Sequence, residues 1–171
     1  MDTPKKYYNW GDVERAAQSI IMQMYKDEWR PDYIVGLTRG GLPLAVLISH
    51  MASIRMETLK VKLRDLDDNE DGCESNCWMA EDAYEGKNIL IVDDINDTGA
   101  TFNWIMEDWR AGCLPDDPKW NNIFGNNVRF ATLTDNLSSE FNSNISYTCH
   151  EVNKSEEDVW LVYPWENVGE Y

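Results

Sequence analysis

The sequence has few basic residues and no long apolar run. Its 171 residues include 15 Lys and Arg against 31 Asp and Glu, which gives a formal net charge of −16. Such a charge repels phosphate backbones and anionic lipid headgroups, so we expect neither nucleic acid nor a membrane as a partner. No apolar stretch approaches the roughly 20 residues that span a bilayer, and the polar start Met1–Lys6 lacks the composition of a signal peptide. We therefore expect a cytoplasmic protein.

Cysteine and histidine are also scarce, which limits the metal and redox chemistry available to the chain. Cys73 and Cys77 are separated by three residues, a spacing found in half of a zinc site, but no second close cysteine pair follows. We expect free, unliganded thiols. His50 lies in an apolar helical pattern, which favours a packed side chain over a catalytic one.

Apolar runs alternate with helical patterns along the chain, which predicts an α/β fold. Ile89–Val92 is a continuous branched apolar run, typical of a strand buried on both faces of a parallel sheet. We predict one domain over residues 1–171, with a mostly parallel central sheet flanked by helices. The other predicted strands are 33–37, 55–63, 128–133 and 145–149, and the predicted helices follow Asn9 and span 42–52 and 101–111.

Two adjacent carboxylates end the predicted central strand. Asp93 and Asp94 are costly to bury unpaired, so we expect them to face a ligand crevice at the carboxyl end of the strand. Beyond them, Gly99 permits a turn that is closed to most side chains. The turn places backbone N–H groups and the hydroxyls of Thr98 and Thr101 before a helix whose positive end favours an anion. This segment predicts a phosphate cradle beside acceptors for a cation or sugar hydroxyls.

A second anion-binding motif, Thr38-Arg39-Gly40-Gly41, follows the strand at 33–37. Its glycines let the backbone approach a ligand closely, and Pro43 occupies the first turn of the next helix, where a missing N–H costs nothing. Arg39 adds a planar, permanently charged fork that suits phosphate oxygens.

The order apolar strand, Asp-Asp, three residues, Thr-Gly-x-Thr resembles the phosphoribosyl-pyrophosphate (PRPP) signature of the type I phosphoribosyltransferases. In that family the acid pair binds the ribose hydroxyls, the Thr-Gly-x-Thr loop binds the 5′-phosphate, and the acid before the loop lies near the base. A Ser/Thr-Arg-Gly-Gly loop grips pyrophosphate, often through a non-proline cis bond. The resemblance thus assigns PRPP binding to Thr38, Arg39, Gly40, Gly41, Asp93, Asp94, Asp97, Thr98, Gly99, Ala100 and Thr101, with Asp97 and Arg39 as catalytic residues.

The carboxyl-terminal segment is similar to the xanthine-guanine branch of the same family. In that branch a Trp-Ile-x-x-Pro-Trp-acid segment stacks the purine, and the segment from Trp160 through Leu161 to Glu166 has the same layout. The resemblance implies base binding by Trp160 and Leu161. The branch also places a Lys after the strand at 128–133, where this chain has Asn136, an amide that both donates and accepts. An aminopurine or a pyrimidine acceptor therefore stays open beside a 6-oxopurine.

The resemblance further implies Mg²⁺, with Asp93, Asp94 and Glu166 as metal ligands, a small carboxyl-terminal hood, and a homodimer or homotetramer. It also implies a flexible hairpin, which we place at 65–85, a segment with nine acids and no Lys or Arg. Trp78 is a candidate lid contact within it. Family members usually bring a basic residue to pyrophosphate on this hairpin. Here Lys60, Lys62, Arg64 or a neighbouring subunit are the alternative sources of that charge.

We accordingly expect a PRPP- and Mg-dependent glycosyltransferase that transfers the 5-phosphoribosyl group to a nucleobase, a purine above all. Two alternatives belong to other classes. One is a non-catalytic PRPP- or nucleotide-sensing regulator on the same fold. The other is a phosphoacceptor receiver domain, whose magnesium-binding strand also ends in Asp-Asp and whose acceptor would be Asp135. Receivers begin with this strand, whereas here 88 residues precede it, which disfavours that alternative.

Overall fold

A five-stranded parallel sheet lies at the centre of the protein, which confirms the predicted α/β fold. The structure is a computed structural model and describes residues 2–63 and 73–166. In chain order its elements are β1 Lys5–Tyr7, α1 Trp10–Lys26, β2 Tyr33–Thr38, α2 Leu42–Ala52, β3 Met56–Lys60, α3 Cys77–Tyr84, β4 Ile89–Asn96, α4 Ala100–Gly112, a 3-10 helix Pro118–Asn122, β5 Val128–Asn136, β6 Tyr147–Val152 and β7 Trp160–Val162.

β4 is the middle strand of the sheet, whose order is β3-β2-β4-β5-β6. Its first four side chains are fully buried and alternate between the two faces, because successive residues of a strand point to opposite sides. Leu90 and Val92 pack in the cluster that contains α1 and α2, whereas Ile89 and Ile91 pack in the cluster that contains α3 and α4. The strand that carries the acid pair is therefore held from both faces.

α1 begins as its sequence predicts. Asn9 Oδ1 accepts a hydrogen bond from the Asp12 N–H at 2.8 Å, and Asp12 Oδ2 accepts one from the Asn9 N–H at 2.8 Å. This reciprocal capping box satisfies two N–H groups that the helix itself leaves without partners.

Only residues 73–85 of the predicted hairpin lie within the described part of the chain. Val61 and Cys73 form an antiparallel bridge that returns the chain to β3, and residues 65–72 lie outside the described part. The prediction is wrong for 77–84, which form α3, because Asn76 caps this helix and its apolar residues are buried against the core. Trp78 packs against Tyr33, with ring centroids 5.8 Å apart, and does not line the cavity described below.

Two further segments differ from the sequence-based expectation. Residues 115–125, where the sequence predicted no helix or strand, include the 3-10 helix, and Trp120 and Ile123 are buried in the core there. β1, which the sequence analysis missed, pairs in parallel with β7 to form a separate two-stranded sheet. β7 and the following turn form the expected small hood. Within the described residues, every helix is too short or too polar to cross a membrane.

Candidate active site

The carboxyl ends of β2, β3 and β4 open into one cavity of about 1480 Å³. Both sequence motifs contribute to its wall, together with the hood. The predicted site residues that line it are Thr38, Arg39, Gly40, Asp93, Asp94, Asp97, Thr98, Gly99, Ala100, Thr101 and Glu166. Four predicted site residues are not part of this lining: Gly41, Asn136, Trp160 and Leu161.

The acid pair occupies the floor of the cavity. Asp93 Oδ1 accepts a hydrogen bond from the Asp94 N–H at 2.9 Å, and Asp94 Oδ1 accepts one from the Ile95 N–H at 2.8 Å. Burial raises the pKa of Asp93 well above its ordinary value, and the adjacent Asp94 charge raises it further. Burial also raises the pKa of Asp94. The floor is thus built to accept hydrogen bonds or a positive charge, either of which relieves the cost of ionisation.

The turn before α4 forms the second wall of the cavity. Gly99 has a φ of 89°, and a Cβ there would collide with the backbone N of Phe141, so only glycine fits. The Glu140 N–H donates to the Thr98 carbonyl at 2.9 Å, and the Ala100 N–H donates to Thr98 Oγ1 at 3.2 Å. Because α4 starts at Ala100, the positive end of its dipole faces the cavity, which favours an anion there.

The loop after β2 packs directly on the acid pair. A cis peptide bond joins Thr38 to Arg39, as the family resemblance implies. A Cβ on Gly40 would lie 2.5 Å from Asp94 Oδ2, and a Cβ on Gly41 would collide with the carbonyl oxygen of Val92. Gly41 therefore packs against the backbone of β4 and does not face the cavity itself. The two glycines bring the anion-binding loop and the carboxylates into contact, so the two motifs form one site.

Asp97 follows β4, and it is held by Asn136 at the end of β5 and by Lys154, two residues after β6. Lys154 Nζ lies 3.0 Å from Asp97 Oδ1, and Asn136 Nδ2 donates to the Asp97 carbonyl at 2.8 Å. Asn136 Oδ1 accepts from the N–H and the hydroxyl of Ser138 and from the Lys154 N–H, at 3.2, 2.9 and 3.0 Å. Both atoms of the Asn136 amide are thus engaged within the protein, and Asn136 does not line the cavity.

Sequence reasoning missed Lys154, although one signal could have found it. It is the only Lys or Arg after Arg129. A lone cation in so acidic a segment is a natural partner for a carboxylate at the neighbouring strand ends.

The hood closes the cavity with aromatic residues. Trp10 and Trp165 line it, and Trp165 stacks on Tyr163 with ring centroids 5.0 Å apart and planes 4° apart. The Tyr163 hydroxyl donates to the Asp94 carbonyl at 3.3 Å, which ties the hood to the acid pair. Trp160 lies outside this lining, with 60% of its surface exposed. Leu161 is 7% exposed and packs in the core.

A family model for the phosphoribosyl transferase domain matches residues 5–164. The chain belongs to the phosphoribosyltransferase family. These enzymes are glycosyltransferases, and the predicted family resemblance is confirmed. The xanthine-guanine phosphoribosyltransferase of Cereibacter sphaeroides is 26% identical over 171 residues, which cover 96% of this chain and 89% of that protein.

Solved structures share the fold of this phosphoribosyltransferase. A purine phosphoribosyltransferase from Pyrococcus horikoshii matches with a TM-score of 0.63 and 23% identity, over 99% of this chain and 98% of that one. A protein from Neisseria gonorrhoeae, solved with bound ppGpp, matches with a TM-score of 0.66 and 18% identity, over 98% of this chain and 92% of that one.

The cations of this phosphoribosyltransferase site lie beside the loop after β2. Lys60 and Lys62, two of the alternatives that the sequence left open, line the cavity, whereas Arg64 lies outside the described residues. Lys60 is the register partner of Thr38 on the adjacent strand, which places it next to Arg39. Cationic side chains therefore gather at the end of the cavity where the glycine loop lies.

Asp93 and Asp94 are the adjacent carboxylates predicted to hold a metal ion, and both line the cavity. Among the described residues, no group of three His, Cys, Asp or Glu side chains is close enough to hold one. Mg²⁺ is often bound by one or two carboxylates together with substrate phosphates and water, so two acids suffice if the substrate supplies the rest. Glu166 lines the cavity, and its Oε2 accepts from the Tyr163 N–H at 3.0 Å.

Proposed function

We propose that this protein transfers the 5-phosphoribosyl group of PRPP to a nucleobase, a purine, and releases pyrophosphate. One observation carries the proposal. The acid pair, the Thr98–Thr101 turn and the Arg39 loop, which are separate in sequence, face a single cavity. Its volume of about 1480 Å³ accommodates PRPP and a base together.

Each wall suits one part of PRPP. Asp93 and Asp94 accept hydrogen bonds from the 2′- and 3′-hydroxyls, because both acids line the floor of the cavity. The Thr98–Thr101 turn binds the 5′-phosphate at the positive end of α4. The segment Thr38–Gly41 binds pyrophosphate, with Arg39 as its fixed cation and Lys60 beside it. The positive groups of the site, Arg39, Lys60 and the start of α4, thus meet the negatively charged phosphates of PRPP.

Magnesium fits the proposal through Asp93 and Asp94, with Glu166 nearby as a further carboxylate. When bound with PRPP, magnesium supplies charge neutralisation at the pyrophosphate. Both carboxylates have a raised pKa, so a bound cation favours their ionised forms and stabilises the ligated site.

Catalysis in this site rests on leaving-group charge and on the acceptor base. The bond from C1′ to the pyrophosphate oxygen breaks with its electron pair on the oxygen, and a base nitrogen forms the new bond to C1′. Arg39 stabilises the charge that develops on pyrophosphate, and loss of one such contact typically costs about 10² to 10³ in rate. Asp97 accepts the proton that the base loses as its nitrogen bonds to C1′. Trp160, although outside the cavity lining, offers its exposed ring for stacking on the base, whereas Leu161 is buried in the core.

A base panel tests the proposal. Purified protein is given PRPP, Mg²⁺ and, one at a time, hypoxanthine, guanine, xanthine, adenine and uracil, and both nucleotide and pyrophosphate are measured. We expect equal amounts of the two products with at least one purine. Asp97→Asn is expected to lower the rate by about 10² or more, the usual contribution of a positioned base. Absence of nucleotide with every base contradicts the transferase proposal.

A nucleotide-sensing role is the second candidate. The observation that favours it is the likeness to the Neisseria gonorrhoeae protein, which was solved with ppGpp. The same base panel separates the two functions, since a sensor binds PRPP or a nucleotide in a calorimetric titration but forms no product.

A further inference from the structure

Three strand ends meet around Asp97, on the acceptor side of the cavity. Asp97 follows β4, Asn136 ends β5, and Lys154 comes two residues after β6. Because β4, β5 and β6 are adjacent and parallel, their carboxyl ends lie side by side. Residues that are far apart in sequence are thus brought to one place, and their polar atoms bond one another.

Lys154 is committed to Asp97 although closer acids surround it in sequence. Glu151, Glu156, Glu157 and Asp158 all lie within four residues of Lys154. Its ammonium instead reaches Asp97, at 3.0 Å, and the Lys154 side chain is only 19% exposed. A solvated surface lysine is far more exposed: Lys87, which pairs with Asp82 at 2.9 Å, is 48% exposed. The low exposure of Lys154 indicates a built contact.

Asn136 fixes both partners of this ion pair through the backbone. Its amide nitrogen donates to the Asp97 carbonyl, and its amide oxygen accepts from the Lys154 N–H. Asp97 lines the cavity, whereas Lys154 does not. Lys154 can therefore act on a bound substrate only through Asp97.

We propose that Lys154 is a positioning residue, which together with Asn136 holds the Asp97 carboxylate aimed at the acceptor base. The inference rests on the proposed function, because Asp97 must meet a base for its aim to matter. The ion pair leaves one Asp97 oxygen, Oδ2, for the incoming N–H. Misplacing a reacting group by about 1 Å costs on the order of 10² in rate, so loss of Lys154 lowers turnover while PRPP binding remains.

A double-mutant cycle tests this role. Lys154→Met is expected to lower kcat/KM for the base by about 10- to 100-fold, with the KM for PRPP unchanged within about twofold. Lys154→Arg restores most of the rate, since its guanidinium keeps the ion pair. In an Asp97→Asn background, Lys154→Met adds less than about a twofold loss, because a positioning residue has nothing left to position. The matched control is Lys87→Met, which breaks an ion pair at a distance from the cavity.

The outcomes separate the inference from the proposed function. Wild-type rates for Lys154→Met, or losses that multiply in the double variant, overturn the positioning role while leaving the transferase intact. Failure of the wild type to form nucleotide overturns the transferase. In that case amide hydrogen exchange without ligand still tests the clamp. The Ser138 and Glu140 N–H groups, which donate to Asn136 Oδ1 and to the Thr98 carbonyl, are expected to exchange faster in Lys154→Met than in Lys87→Met, and equal exchange contradicts the clamp.

Discussion

The contact between Gly40 and Asp94 gives the sharpest test of how the two motifs cooperate. In Gly40→Ala the added Cβ would lie 2.5 Å from Asp94 Oδ2 and 3.0 Å from Asp94 Cγ. An ordinary van der Waals contact needs about 3.5 Å, so the carboxylate must move by about 1 Å. The move is possible because Asp94 is a side chain at a cavity wall, but it takes Asp94 Oδ1 away from the Ile95 N–H, now at 2.8 Å.

The two consequences of Gly40→Ala differ in size. Weakening one hydrogen bond costs about 1 kcal/mol of folding free energy, a lowering of the melting temperature of roughly 2–4 °C for a chain of this length. A 1 Å displacement of a substrate-binding carboxylate costs about 10² in kcat/KM for PRPP. We therefore expect a folded protein whose use of PRPP is severely impaired, as measured by steady-state kinetics alongside thermal unfolding.

Gly36→Ala is the matched control for this substitution. Its Cβ would lie 2.9 Å from the Ala45 Cβ and 3.1 Å from Leu42 Cδ2, so the clash falls on core side chains. Overpacking of this kind costs about 1–3 kcal/mol, and we expect it to lower stability more than it lowers activity per folded molecule. PRPP kinetics of Gly40→Ala within about twofold of the wild type would refute the proposed contact between loop and acid pair.

Three further predictions concern Asp93 and Lys60, which line the cavity, and Trp160, which lies outside its lining. Burial raises the pKa of the Asp93 carboxyl, so the ligand-free wild type loses stability as pH rises and this carboxyl ionises. Asp93→Asn removes that cost, and we expect the variant to melt at a higher temperature than the wild type near about pH 8 and at the same temperature near about pH 3. A lower melting temperature than the wild type near about pH 8 contradicts this. Lys60→Met is expected to raise the KM for PRPP about tenfold, whereas Lys60→Arg and the remote Lys26→Met retain it. Trp160→Ala is expected to weaken binding of the base by about 1–3 kcal/mol, with little change in melting temperature. Tyr25→Ala is the control, and a KM for the base that is unchanged in both variants would exclude stacking on Trp160.

The parts of the site that follow from local sequence were predictable. The run Ile89–Val92 contains only branched apolar residues, so its burial on both faces of a parallel sheet could be inferred from the sequence. The glycines after β2 and Gly99 predict close backbone approaches and a positive φ that other residues do not tolerate. In both cases the pattern and its physical cause lie within a few residues.

The parts that depend on distant partners were not predictable in the same way. β1 is a three-residue strand, Lys5–Tyr7, and becomes one only because β7 pairs with it. α3 lies in an acidic segment and is held by the few apolar residues that meet α4. Asn136 has the sequence position of a base-binding residue in the family. Its hydrogen-bond partners Asp97 and Lys154 follow β4 and β6, so these bonds could be found only from the three-dimensional structure.

A single time course tests the transferase account most directly. PRPP with Mg²⁺ and the base that the protein prefers is incubated with the wild type and with Asp93→Asn, and nucleotide and pyrophosphate are quantified together. The account predicts one nucleotide for each pyrophosphate with the wild type and a strongly reduced rate with Asp93→Asn. Release of pyrophosphate without nucleotide, or equal rates for the two proteins, would contradict it.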